Sequence, residues 1–370
     1  LQAAGVEVEV ATSAYRGGGN REFAGIPVHR FRYSPARWET LTHDEAAPDR
    51  MKRSWRYRVM AVCYVLAGAV AVWRLCRRRR FDIVHVHWPF PHALFGWMAR
   101  RAGAGAVVTT FYGVELRWVK GSMPFFRRFL AWAARSSDRV VAISSYTAGE
   151  IAELAPVPIE VIPYTVALPR AEHREIKPAG RPFTVLFVGR LVDRKGVEYL
   201  IEALGLLPDR LAARLEVVGE GPARAGLERL ARRSPRADAI EFRGRITQAA
   251  LQQAYAGADL FVLPSVVDRR GDTEGLGVVL LEAMNERVPV IASAIGGITD
   301  IVSPGETGLL VPPADAPVLA AAILRVADDP ALARSLADRA YQRLQEHFSW
   351  PGIVGRWLEL YGGLVAAKER

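Results

Sequence analysis

Cysteine is almost absent from this 370-residue chain: there are two, Cys63 and Cys76, in one apolar stretch. A disulfide framework and a cysteine-based zinc site are therefore excluded, and a reducing compartment is expected. A membrane-length apolar run is also missing. Val59–Trp73 carries no charge, but its 15 residues fall short of the ~20 that cross a bilayer. It reads as a helix buried in an α/β domain. An interfacial helix anchored by Arg74 and Arg77–Arg80 is the alternative. No short internal repeat and no low-complexity tract is present.

Acidic residues are scarce in one half only. Residues 1–170 hold 24 Lys and Arg against 13 Asp and Glu, whereas residues 171–370 hold 25 against 26. The whole surplus of positive charge thus sits in the N-terminal half. A surplus of that kind suits an anionic partner. No nucleic-acid motif accompanies it, so an anionic membrane face or a lipid phosphate is the expected contact and nucleic acid is not.

What is present is a series of apolar runs, each followed by a helical pattern. In the C-terminal half the strand candidates are Val185–Val188, Leu215–Val218, Ile240–Phe242, Leu260–Leu263, Pro289–Ile291 and Leu309–Val311. Helix-length segments lie between most of them: Gly196–Leu206, Arg224–Arg233, Gln248–Ala256 and Val278–Asn285. The strands are continuous rather than alternating, as in a parallel sheet covered on both faces. Strand–helix alternation over this length predicts a doubly wound α/β fold. The N-terminal half repeats the theme less regularly, with candidates Val6–Ala11, Ile83–His87, Val107–Thr110, Val140–Ile143 and Ile159–Ile162. Segment 34–56 reads as a long loop or mobile insertion, and proline-rich Pro163–Pro182 as the interdomain linker. From Pro330 onward two helices are expected, broken near Ser349-Trp350-Pro351. The domains are placed at 1–168, 169–345 and a crossover helix at 346–370.

Chemistry is expected at two strand-to-helix turns. In the first, Pro264 ends a buried strand and a polar loop runs to Glu274-Gly275-Leu276-Gly277, where a helix begins with Val278 and carries Glu282 about two turns on. Ligands in such sheets bind beyond the carboxyl ends of strands. Free amides at the helix start suit a diphosphate, and a carboxylate on either side can accept hydroxyl hydrogen bonds, one from a sugar and one from a ribose. In the second, Gly189-Arg190 through Lys195-Gly196 follows another buried strand. A guanidinium fork and an ammonium point charge five residues apart can converge on one anion.

Taken together, Gly189-Arg190-Leu191 with Lys195-Gly196, Val218-Gly219-Glu220-Gly221-Pro222, Glu274-Gly275 with Glu282-Ala283-Met284, Gly296-Gly297 and Gly305–Pro312 resemble the family 4 retaining glycosyltransferases (glycosyl transferases group 1). The likeness is dense over about residues 183–315 and loose elsewhere. It implies a GT-B fold: two Rossmann-like doubly wound domains facing a cleft, with a C-terminal helix crossing back to the N-terminal domain. It implies a metal-independent transfer of a hexosyl group, with retained configuration, from a UDP-, GDP- or ADP-sugar. That donor is a co-substrate, so no cofactor is expected. Arg190 and Lys195 would hold the diphosphate and stabilise it as it leaves. Glu274 would hold sugar hydroxyls beside the amides of Gly275, Leu276 and Gly277, Glu282 the ribose, and the backbone at Arg245-Ile246 would face the base.

The N-terminal His85-Val86-His87-Trp88 and Thr110-Phe111-Tyr112-Gly113-Val114-Glu115 resemble the family's strand-end motifs. Tyr112 stands where relatives often carry histidine, and a phenol does not titrate near neutrality. His85 and His87 are expected to alternate, only one of them facing the ligand. Relatives also begin with a strand, a glycine-rich loop and a helix before the segment matching Leu1–Ser13. By that comparison roughly 30–40 residues are expected to be lacking, with weak activity or low stability as the consequence. The acceptor is expected to be lipid-linked or a polysaccharide, at the cytoplasmic side of a membrane. A soluble small-molecule acceptor and a non-catalytic nucleotide-sugar-binding role are the alternatives.

Overall fold

The computed structural model describes residues 1–42, 47–121, 123–165, 180–269 and 271–369. Most of the expected linker, the domain boundary after residue 168 and Arg270 lie outside the described residues. The chain divides into two compact units. One comprises Leu1–Ala142, Glu150–Glu160 and Val354–Arg370, the other Ile143–Gly149 and Val161–Ile353.

The first unit contains two separate sheets. In the smaller, β1 (Val10–Ser13) runs parallel to β3 (Ile26–Phe31), and β2 (Arg21–Phe23) pairs antiparallel on the other side of β3. The expected strand at Val6–Ala11 starts late because pairing with β3 begins only at Val10. The β2–β3 turn, with positive φ at Ala24 and Gly25, is the kind that closes two-residue hairpins. In the larger sheet β4 (Ile83–His87), β5 (Ala106–Phe111), β6 (Arg139–Ala142) and β7 (Ile159–Val161) lie in that order. β5 is central and wholly buried, which is why its run Ala-Val-Val-Thr-Thr-Phe shows no alternation.

Segment 34–56 is not one long loop. It holds a short turn at Ala36–Trp38, a helix at Ala47–Arg53 and the start of the helix Trp55–Arg78. That helix has 24 residues, capped by the Ser54 hydroxyl, which accepts from the Arg56 amide. It buries Tyr64, Gly68, Val72 and Cys76, a four-residue spacing that keeps one face inward. Its other face is exposed, so the expectation of a buried helix holds for one side only.

The second unit is one six-stranded parallel sheet: β8 (Phe183–Val188), β9 (Ala213–Val218), β10 (Ile240–Gly244), β11 (Leu260–Leu263), β12 (Val290–Ser293) and β13 (Leu309–Val311). Their order across the sheet is β10-β9-β8-β11-β12-β13, with every ladder parallel. Counted within the unit this is 3-2-1-4-5-6, the doubly wound order. β8 and β11, side by side, are the point where winding reverses. Helices Val197–Gly205, Arg224–Ala231, Gln248–Gly257 and Val278–Asn285 connect the strands.

The chain ends in two helices, Pro330–His347 and Trp350–Glu369. Residues from Val354 onward join the first unit. There the Lys368 ammonium donates to the Gly105 carbonyl at 2.6 Å, and Tyr361 bonds His85.

Candidate functional site

Two loops leave the sheet of the second unit at its switch point, one after β8 and one after β11. A glycine lets the first reach the second. Gly196 has φ +61°, and a side chain there would collide with the Pro264 carbonyl at the end of β11. The Val266 amide donates to the Arg194 carbonyl at 2.8 Å, joining the loops again. The β11 loop is held in turn from β12. The Gly297 amide donates to the Glu274 carbonyl at 3.0 Å, and a Cβ on Gly297 would strike the Gly275 carbonyl.

This bracing brings Lys195 and Glu274 together although they are 79 positions apart: the ammonium donates to the carboxylate Oε2. Both are buried, Lys195 at 6% exposure and Glu274 at 8%. Arg194 adds a second cation, with Nη1 3.1 Å from the same oxygen and Nε 3.5 Å from Asp272. Lys195 and Arg194 thus meet two carboxylates, Glu274 and Asp272, so charge balances within the cluster while both cations stay at the carboxyl ends of the strands. Beside them the helix Val278–Asn285 begins at Gly277, which supplies no side-chain cap. Leu276, Gly277 and Val278 form that start, with Gly275 just before.

Glu282, in the same helix, accepts a hydrogen bond from the Tyr255 hydroxyl at 2.7 Å. Burial raises the Glu282 carboxyl above its usual range, and the tyrosine bond offsets part of that. A cleft lies at the carboxyl ends of β8, β9 and β10. Gly189, Arg190, Gly219, Glu220, Arg245 and Ile246 line it. Its location is where such sheets take ligands.

The first unit carries the remaining residues. His87 Nδ1 and the Tyr112 hydroxyl are 2.8 Å apart. His85 and His87 do not alternate: their rings lie 4.1 Å apart on one side of β4, since residues two apart in a strand share a face. His85 is held by the Tyr361 and Thr110 hydroxyls at 2.7 Å each. Burial, aided by the His87 charge, pushes its imidazole down to about 3, so it is neutral. Glu115 is fully enclosed, with Oε1 accepting from the Tyr112 amide at 2.7 Å. Burial pushes its carboxyl up to about 7.

Sequence reasoning passed over Arg194, Tyr255 and Tyr361. Arg194 adjoins Lys195 in the basic loop and could have been read there. Tyr255 sits in a helix with no motif, and Tyr361 is 276 positions from His85, so neither left a local signal.

Residues 169–343 match the family described as Glycosyl transferases group 1, and residues 1–165 a Glycosyl transferase 4-like domain. Among similar proteins is the GDP-mannose-dependent monoacylated alpha-(1-6)-phosphatidylinositol monomannoside mannosyltransferase of Corynebacterium glutamicum. It is 31% identical over 82% of this chain and 81% of its own. A glycogen synthase of Mycobacterium tuberculosis is 32% identical over 79% and 70%. Among solved structures, a sucrose-phosphate synthase from Thermosynechococcus elongatus superposes with a TM-score of 0.75 at 26% identity, covering 99% of this chain and 91% of that one. HepE from Anabaena, solved with UDP, has the same fold, with a TM-score of 0.71 at 17% identity over 97% and 100%. This chain belongs to the glycosyl transferases group 1, family 4, and is a glycosyltransferase of GT-B fold built on two Rossmann-like domains.

Proposed function

We propose that the chain transfers a hexosyl group from a nucleoside-diphosphate sugar to a lipid-linked or polysaccharide acceptor, with retention and without a metal or cofactor. The carrying observation is the Lys195–Glu274 ion pair at the switch point of the second unit, beside the start of the helix Val278–Asn285. With donor bound, Lys195 and Arg190 hold the diphosphate, and Glu274 turns to the sugar hydroxyls. The amides of Gly275, Leu276, Gly277 and Val278 add dipolar stabilisation. Glu282, oriented by Tyr255, takes the ribose hydroxyls, and Gly189, Arg245 and Ile246 line the base side of the cleft. The anomeric C–O bond to the β-phosphate breaks while the acceptor oxygen bonds the same face of that carbon. The acceptor proton passes to the departing phosphate, and a nucleoside diphosphate leaves. Positive charge fixed at that phosphate lowers the barrier without reorganising. His87 and Tyr112, bonded to each other in the first unit, are assigned to substrate binding.

The printed activities of relatives guide donor and acceptor. GDP-mannose and a phosphatidylinositol mannoside appear in the name of the corynebacterial enzyme, and colanic acid in that of a Salmonella typhimurium relative 30% identical over 67% of this chain. The basic surplus of residues 1–170 supports a peripheral position at the cytoplasmic face of a membrane.

The test is a panel of GDP-mannose, UDP-glucose, UDP-N-acetylglucosamine and ADP-glucose, each with EDTA, read by thermal shift and by nucleoside diphosphate release on adding lipid acceptors. One donor should raise Tm and release its diphosphate with EDTA present. No shift and no release with any donor would remove the reading.

A further inference from the structure

The outer face of the helix Trp55–Arg78 carries Trp55, Val59, Val62, Leu66, Val70 and Trp73, all exposed. Successive gaps of 4, 3, 4, 4 and 3 residues keep them within about an 80° arc at 100° per residue. The stripe runs for about 27 Å at 1.5 Å per residue. Trp55 and Leu66 are 70% and 62% exposed, far from the usual fate of such side chains in a row. Nothing about the catalytic reading uses this face.

Its surroundings specify the partner. From Arg50 to Arg80 the chain has ten Lys and Arg and no Asp or Glu. Half of them, Arg50, Lys52, Arg53, Arg56 and Arg58, gather at the start of the stripe; the other half, Arg74 and Arg77–Arg80, gather at its end. Tryptophan stands at each end of the apolar run, and tryptophan favours the boundary between acyl chain and headgroup. A symmetric pairing with a second copy would set basic end against basic end in either direction, which argues against self-association. A bilayer rich in anionic phospholipid satisfies the apolar stripe and the flanking charge together.

Contrary to the expectation from Val59–Trp73 alone, the whole helix Trp55–Arg78 is long and apolar enough to cross a membrane by length and composition, but its inner face is committed. Tyr64 packs against Phe31, Tyr33 and Phe95, with ring centroids 5.3 to 6.2 Å away. A Cβ on Gly68 would collide with the Phe95 and Phe31 rings. Val72 and Cys76 pack with Ala99, Ala102 and Ala104. Crossing would strip those contacts away.

We infer that the exposed face of Trp55–Arg78 is a bilayer-docking surface on which the helix lies in the plane of an anionic membrane, its inner face staying packed in the first unit. This rests on the membrane reading above and adds the surface and its orientation. The two cysteines make it directly measurable. Cys63 is exposed on the flank of the stripe, and Cys76 is buried with its thiol pushed up to about 11 by burial. A maleimide fluorophore therefore marks Cys63 selectively.

The experiment mixes the Cys63-labelled chain with vesicles of phosphatidylcholine alone or with 30% phosphatidylglycerol, at low and high salt. Bromine-labelled lipids report depth. The prediction is a blue shift with anionic vesicles only, quenching by shallow rather than deep bromines, and at least tenfold weaker binding at high salt. Val62→Glu/Leu66→Glu should cut vesicle binding at least tenfold while leaving Tm and the donor-induced thermal shift unchanged. An unlabelled wild-type co-sedimentation arm removes any effect of the dye. No binding of wild type at low salt, equal binding of the variant, quenching strongest at the bilayer centre, or a wild-type dimer that the variant abolishes would each overturn the inference. The donor shift reads the catalytic proposal separately, so either can fail alone.

Discussion

Both units layer helices on mainly parallel strands, the antiparallel β2–β3 pair of the first apart, yet they dispose of apolar surface differently. The second builds one sheet of six strands, with β11 and β12 wholly buried and its exposed apolar residues, among them Leu206, Val267, Val318 and Trp350, scattered singly, and residues 171–370 are nearly neutral. The first divides its strands between two sheets, leaves an apolar helical stripe in solvent and carries the basic surplus. A unit that closes on its own core can place charge pairs precisely at a strand end. A continuous apolar stripe left in solvent is the usual mark of an interaction surface.

Breaking the charge pair of the second unit should have the largest effect. Lys195→Ala removes a cation from the leaving diphosphate, so kcat should fall by roughly 10²–10³. Tm should fall too, because a buried carboxylate loses one of its cations. Nucleoside diphosphate release and a thermal melt measure both, and near-normal turnover would separate Lys195 from the chemistry. Next comes the bracing. Gly297→Ala forces a methyl into the Gly275 carbonyl and should cost about 2–3 kcal/mol by denaturant melt, with donor affinity falling alongside.

The first unit gives a contrast in pH. Burial raises the Glu115 carboxyl from 4.5 to about 7. Below 4.5 the proton is bound in both folded and unfolded chains, and no penalty arises. As pH climbs from 4.5 towards 7 the unfolded chain releases its proton first, so stability declines, by about 3 kcal/mol once pH passes 7. Glu115→Gln should abolish this decline and be more stable than wild type at pH 8, as read from urea melts at pH 5 and pH 8. A parallel slope in both proteins would contradict it. The smallest effect is expected at Tyr255→Phe, which removes the hydroxyl bonded to Glu282. KM for the donor should rise about five- to tenfold while kcat stays within twofold.

The same contrast governs what the sequence made legible. Leu260–Leu263, Leu309–Val311 and Val278–Asn285 were read at their observed bounds, because strands buried on both faces and an apolar helix between them carry strong periodicity. Lys195 and Glu274 are legible because each lies in the loop that leaves the carboxyl end of such a strand, just before a helix. The pair β2 and β3 was missed: Arg21–Phe23 is three exposed residues with no pattern of their own. The exposed face of Trp55–Arg78 is not legible, because apolar content does not reveal which face finds a partner. Tyr255 and Tyr361 act through tertiary proximity alone, which no local spacing encodes.

The diphosphate site is the central claim, and calorimetric titration reaches it most directly. GDP and UDP, with GMP and UMP as controls, are titrated into the wild-type chain and into Lys195→Met, with EDTA throughout. One diphosphate should bind wild type at least about tenfold more tightly than its monophosphate, and that advantage should vanish in Lys195→Met. An advantage of the same size in both proteins would contradict a diphosphate held at Lys195.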